Sequence, residues 1–307
     1  MAMDQIQKRL LEEVADLHDI PEGAYNIRAN GETAVRNTTA NIDIISKEDG
    51  TGIDIKVKDG TKKESIHIPV VLSKSGLKEV VYNDFYIGED CDVFIVAGCG
   101  IHNCGVDTSK HDGVHTFYIG KNAKVKYVER HYGEGDGNGE NIMNPETIIH
   151  LEEGAYLEME TTQIKGIDST NRITRGDLAA GATLEVREKL MTHGKQYART
   201  DFSVDLNGDG CSANIVSRSV AREQSRQEFF SNINGNSVCS GHSECDAIIM
   251  DQAVVAASPQ LTAANIDASL IHEAAIGRIN DEQLTKLRTL GMTAEEAESV
   301  IVEAFLN

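Results

Sequence analysis

Five times between residues 91 and 217 a small residue, usually just past a glycine-containing turn, is followed by apolar residues two and, in most units, four positions on. The units are Cys91-Asp-Val93-Phe-Ile95, Ala123-Lys-Val125-Lys-Tyr127, Ala155-Tyr-Leu157-Glu-Met159, Ala182-Thr-Leu184-Glu-Val186 and Ala213-Asn-Ile215-Val-Ser217. Their small residues lie 32, 32, 27 and 31 positions apart. Alternation within a unit points one row of side chains inward, and near-constant spacing between units is what a coiling chain gives when each rung stacks on the last. The pattern predicts a mainly β chain wound as a solenoid, with a small residue at each tight corner. With no Trp and 5% aromatic residues, its core has to be aliphatic. Periodicity alone leaves an antiparallel sandwich of evenly spaced strands as the alternative.

Both ends read as helical. Ile6, Leu10, Leu11, Val14 and Leu17 fall at helical spacing, with Asp4 placed to cap them. At the other end Asn280 precedes Leu284, Leu287 and Leu290, Gly291 marks a stop, and Thr293-Ala-Glu-Glu296 is a capping box ahead of Val300, Ile301, Ala304 and Phe305. The chain therefore divides into an N-terminal helix (1–20), a β-solenoid core (21–279) and a helical hairpin (280–307). Two short helices need other surfaces to lean on. One face is expected to cover the open end of the solenoid, and the surplus apolar residues to dock a partner.

The net charge of −20 repels phosphate backbones and anionic lipid heads, which excludes nucleic-acid and membrane-surface binding. The longest apolar runs fall far short of the roughly 20 residues of a membrane helix, and the N-terminus lacks the apolar region of a signal peptide. A cytoplasmic protein with reduced thiols is expected. No phosphate-binding loop occurs, and the glycine-rich stretch 133–139 is acidic. Asp205-Leu-Asn207-Gly-Asp209-Gly210 imitates a calcium loop, but Val216 stands where a bidentate Glu is required, so it reads as a turn.

Two sets of residues could bind metal. Cys99, His102, Cys104, His111 and His115 crowd into 17 positions, and thiolate and imidazole are ligands that zinc or iron selects. Farther on, His242, Cys245 and Asp246 lie about one coil before His272-Glu273, which would stack Cys245 near that pair. Neighbours on a strand face opposite ways, so only one of His272 and Glu273 can share a site with Cys245. Small inward cysteines and exposed histidines account for the same residues without a metal.

The stretch from Ser258-Pro259 through His272-Glu273-Ala-Ala-Ile-Gly-Arg-Ile279 and Asp281-Glu-Gln-Leu284 to Leu287, Gly291-Met and Glu296-Ala297 resembles the C-terminal signature of the SufB/SufD family. The upstream rungs and His111-x-Gly-x-His115 fit the same family over most of the remaining chain. The resemblance implies a right-handed parallel β-helix with helical ends, a second β-helix subunit or homodimer, and a SufC-type ABC ATPase held by the C-terminal helices. It also implies a non-enzymatic role in iron–sulfur cluster assembly, with iron or a cluster bound transiently, and it matches His272 and Glu273 to the scaffold-site pair of SufB. The SufB thiol six residues before the Pro falls on Ala253, leaving Cys245, Cys99 or Cys104 to substitute. A β-helix enzyme acting on a polysaccharide and a metal-binding structural solenoid are the competing functional classes; the acidic field disfavours an acidic polysaccharide.

Overall fold

The computed structural model describes residues 3–306. Between its terminal helices the chain winds through about eight turns of a parallel β-solenoid, and each turn contributes to two ten-stranded sheets that enclose the core. The first sheet carries Lys62–Leu72, Asp92–His102, Lys124–Glu134, Tyr156–Lys165, Thr183–Thr192, Ser212–Ala221, Ser240–Ile249 and Ser269–Gly277. The second carries Lys78–Ile87, Ser109–Ile119, the broken rung Asn141–Met143 and Glu146–Leu151, then Ser169–Leu178, Tyr197–Leu206, Arg226–Gly235 and Val254–Ala263.

In-register pairing turns the sequence repeat into columns. Asp92, Lys124, Tyr156, Thr183, Ser212, Ser240 and Ser269 align across the first sheet. One position ahead of them stand Cys91, Ala123, Ala155, Ala182, Cys211, Cys239 and Ala268, all but the last buried. The fifth unit thus begins at Cys211, not Ala213, which pairs with Leu184 one inward step farther on. A thiol is as small as the corner demands, so Cys does there what Ala does elsewhere. Ile215 joins the next inward column, Ile95, Tyr127, Met159 and Val186.

The two ends differ. Antiparallel pairs, Ala24–Ala29 with Glu32–Asn37 and Ile42–Ser46 with Gly52–Val57, close the N-terminal end. Among the described residues no strand lies beyond Val254–Ala263 or Ser269–Gly277, and those two strands are largely exposed.

The N-terminal helix, Gln5–Ala15, is capped reciprocally by Asp4 and Gln7 and lies on the outer face of the first sheet. Glycine makes room for it: a Cβ at Gly98 would stand 2.8 Å from the Val14 carbonyl oxygen, and one at Gly100 would stand 3.0 Å from Leu10 Cβ. The C-terminal hairpin, Asp281–Thr289 and Ala294–Leu306, has the caps expected of it, Asn280 at the first helix and Thr293 with Glu296 at the second. It does not cover the open end. Val302 and Leu306 pack with Val220 and Ile248 on the outer face of the first sheet, and Leu284, Ile301 and Phe305 lean on the same cluster. The outward column Met191, Val220 and Ile248 is apolar and needs a cover, which is why the hairpin folds back along the side. Leu287 is half-buried, whereas Leu290 and Val300 remain exposed. No helix among the described residues is long and apolar enough to cross a membrane.

Leu157 is fully buried between Val125 and Leu184. Leu157→Asp is expected to lower unfolding free energy by several kcal/mol, because an unpaired charge would sit between stacked rungs. A denaturant midpoint equal to the parent's would show that this column does not bear on the core.

Candidate functional site

At the open end, outward positions of the last two strands of the first sheet gather a histidine and two carboxylates. Glu244 is the cross-strand partner of Glu273, and His242 Nε2 lies 3.7 Å from Glu273 Oε2. Ligand atoms of His242, Glu244 and Glu273 all fall within 4.8 Å of one another. His242 Nδ1–H donates to Asn214 Oδ1 at 2.8 Å from the preceding rung. That bond fixes the tautomer and leaves the Nε2 lone pair facing the carboxylates, the arrangement by which an outer partner orients a metal-binding imidazole. Burial and the Asp246 charge raise the Glu244 carboxyl above its usual range. A divalent cation would relieve that like-charge crowding, and imidazole with carboxylates suits iron(II), manganese or zinc.

The same rungs send His272 and Cys245 into the core, since His272 aligns with Ser243, and Cys245 with Ser217. Alternation therefore separates Glu273 from Cys245 and leaves His272 on the side of the thiol. Among the described residues neither ring nitrogen of His272 has a hydrogen-bond partner, although both are buried. Burial, with the Glu188 and Asp246 charges, pushes the Cys245 thiol up to about 12.

Deeper in, the solenoid carries a polar seam. Asn83 Nδ2 meets His115 Nε2 at 3.2 Å, His115 Nδ1 meets the Tyr127 hydroxyl at 2.8 Å, and that hydroxyl donates to Glu129 at 3.0 Å. Arg172 donates to Glu129 at 2.6 Å and lies 3.7 Å from Glu188, which accepts from Thr200 and Ser217 at 2.9 and 2.7 Å. Donor bookkeeping fixes the ring protons. Tyr127 gives its only proton to Glu129, so His115 carries its own on Nδ1 and accepts at Nε2 from Asn83. Arg172 donates to His131 Nδ1 at 3.2 Å, which puts the His131 proton on Nε2, 3.6 Å from Glu129. Burial drives the His115 imidazole down to about 4 and lowers His131 as well. Glu129 stays ionised against its burial because Arg172 and the histidines favour its charged form.

The ligand candidates from residues 99–115 fall into two groups, Cys99, His111 and His115 around one small cavity and His102 beside Cys104. Cys99 is buried and faces a cavity of about 10 Å³, the size of one water, shared with His111, His115, Glu129 and His131. Burial and the Glu79 and Glu129 charges hold its thiol well above the usual range. His111 is tied to Glu79 at 2.9 Å. His102 and Cys104 lie outside this cavity, with Cys104 exposed. Sequence reading placed no weight on Glu129, Arg172, Glu188 or Glu244. The signal for two of them was present, since Glu129 and Glu188 stand six positions past the corner residues Ala123 and Ala182, on the inward parity.

The sequence pattern of the SufBD core domain, of the SUF iron–sulfur cluster assembly system, matches residues 85–305. The chain belongs to the SufBD family. It is 31% identical over 269 residues to an iron–sulfur cluster assembly SufBD family protein of Pyrococcus horikoshii, covering 84% of this chain and 78% of that one. A SufBD family protein of Methanocaldococcus jannaschii is 28% identical over 256 residues, 82% and 79% of the two chains. The end site and most of the seam lie within the matched span of this SufBD family protein.

The buried imidazoles carry a pH signature. An unfolded histidine titrates near 6.5, so between that value and about 4 the unfolded chain takes up a proton that folded His115 refuses. Stability is complete above about pH 6.5 and is lost as pH falls toward 4, by a few kcal/mol. Urea midpoints should drop across that window and drop less in His115→Gln. A flat profile in the parent would contradict the buried, neutral assignment.

Proposed function

We propose that this SufBD protein is a scaffold or transfer subunit, without turnover of its own, that holds iron at the open end of its solenoid during cluster assembly. The observation that carries this reading is the convergence of His242, Glu244 and Glu273 there, with Asn214 orienting the imidazole. Cys245 and Cys99, kept protonated by burial, are poor first ligands, because thiols bind metal as thiolates. His272, half-buried with both ring nitrogens covered and unpartnered among the described residues, is placed to meet the cargo or a subunit that covers this end.

Two partners complete the proposal. A second β-helix subunit, in a homodimer or a heterodimer, pairs with the open edge, where Val254, Ile271 and Ile276 are exposed and backbone groups lack strand partners. A SufC-type ABC ATPase docks on the C-terminal hairpin, whose Leu290 and Val300 are left uncovered, and supplies the ATP-driven step that a chain without a phosphate-binding loop cannot. A reducing, cytoplasmic setting would keep the six cysteines as the free thiols they are here.

Anaerobic iron(II) titration tests the site. His242→Ala and Glu273→Gln should each weaken binding about tenfold or more, and Asn214→Leu, which touches no metal, should weaken it by roughly 10- to 100-fold through the tautomer. Parent-like affinity in a Glu244→Gln, Glu273→Gln double variant would remove the site.

A further inference from the structure

The outer face of the first sheet is covered twice, by Gln5–Ala15 toward one end and by Ala294–Leu306 farther along. A groove of about 500 Å³ lies between the two covers, with Glu13 on one helix wall and Val302, Glu303 and Leu306 on the other. Its volume is that of a small-ligand site. A slip in the strand pairing shapes the floor. Tyr156–Lys165 pairs in register with Lys124–Glu134 as far as Gln163 opposite His131, and then Lys165 faces Tyr132 and Ile164 has no partner on that ladder. Such a bulge re-aims side chains. Strict alternation would turn one of Ile164 and Lys165 inward, but both are exposed and both line the groove, beside the half-buried Met191.

The same groove holds cations without counter-ions. Arg130 stands between Gly98 and Thr162 on the adjacent rungs, one without a side chain and the other with a short one, so neither covers its guanidinium. Among the described residues the Arg130 side chain makes no hydrogen bond or ion pair. Lys165 donates only to the Tyr132 hydroxyl, at 3.4 Å, with its Nζ 5.4 Å from the centre of that ring. In a chain of net charge −20 carboxylates are in surplus, yet Glu13 and Glu303, which line the same groove, form no ion pair with either cation.

We infer that this groove binds an unbranched aliphatic carboxylate, its chain along Ile164, Met191, Val302 and Leu306 and its head group on Arg130. A guanidinium donates two parallel N–H bonds to a carboxylate, and the Lys165 ammonium adds a nearby positive charge. The apolar chain displaces water from the floor, which drives binding in proportion to the area covered. Glu13 and Glu303 repel the head group from the helix walls and so direct it to Arg130. A neutral amphiphile has the chain without the anchor. A ligand seated there touches the C-terminal hairpin from its sheet side, so occupancy holds Ala294–Leu306 against the solenoid. The inference uses none of the iron-site residues, so either can fail alone.

Calorimetric titration of the native full-length chain with decanoate, held below its micelle concentration, should give saturable binding at one site per chain. Decan-1-ol should bind about tenfold more weakly or less, and Arg130→Gln should weaken decanoate by a similar factor while leaving the alcohol unchanged. Glu303→Gln should tighten decanoate. Ile164→Asp, at a position 45% exposed and so free of the core, should abolish binding with an unchanged melting curve. In spectra of methyl-labelled methionine the Met191 signal, assigned with Met191→Leu, should move as decanoate is added. Phosphatidylglycerol vesicles distinguish a free carboxylate from a lipid surface, and the chain should not sediment with them. Equal affinity for acid and alcohol, parent-like affinity in Arg130→Gln, a stationary Met191 signal, sedimentation with the vesicles or no binding of decanoate would each overturn the assignment.

Discussion

Parallel strands stacked in register are the constraint on which everything else in this molecule rests. Register decides which residues of one coil lie over which of the next, so a separation of 29 positions in sequence becomes direct contact between Glu244 and Glu273. The same rule lines up the corner residues, whose size is capped because each sits at a tight bend over its neighbour. It also makes the two ends chemically different. Antiparallel hairpins finish one end, while the other presents bare strands and carries the histidine and carboxylate cluster.

The core is divided lengthwise. Val125, Tyr127 and Met159 belong to an apolar half, and farther along the same strands Glu129, His131, Thr161 and Gln163 face a polar half. Burying Glu129, Arg172 and Glu188 sets a large desolvation penalty against their mutual attraction, and the balance holds because tyrosine, threonine and serine satisfy the remaining acceptors. Removing one member would leave an uncompensated charge, which costs about 3–5 kcal/mol. The seam links side chains of consecutive coils from Asn83 to Ser217.

Much of this was legible in the sequence. The small-x-apolar repeat gave the solenoid, and the capping residues gave both terminal elements, because each is a local signal. The corner at Cys211 is masked in the sequence by Ala213, because an Ala-x-Ile pattern two residues later obeys the same alternation, and only pairing across strands distinguishes the two. The opposite facing of His272 and Glu273 followed from alternation alone. The approach of Glu244 and His242 to Glu273 did not, because coil length varies by several residues from rung to rung and a one-residue error exchanges the inside for the outside. The hairpin's seat depended on the outward column Met191, Val220 and Ile248, a feature of three strands that no single stretch displays.

Stacking thus places a nitrogen and oxygen donor set at the exposed end of a SufBD solenoid while keeping its nearest thiol, Cys245, protonated inside. X-ray absorption at the iron edge, on the anaerobic chain loaded with one equivalent of iron(II) and no sulfide, reads the donor atoms directly. A first shell of oxygen and nitrogen, with outer-shell scattering from one imidazole, is the predicted result. A first shell dominated by sulfur would contradict it.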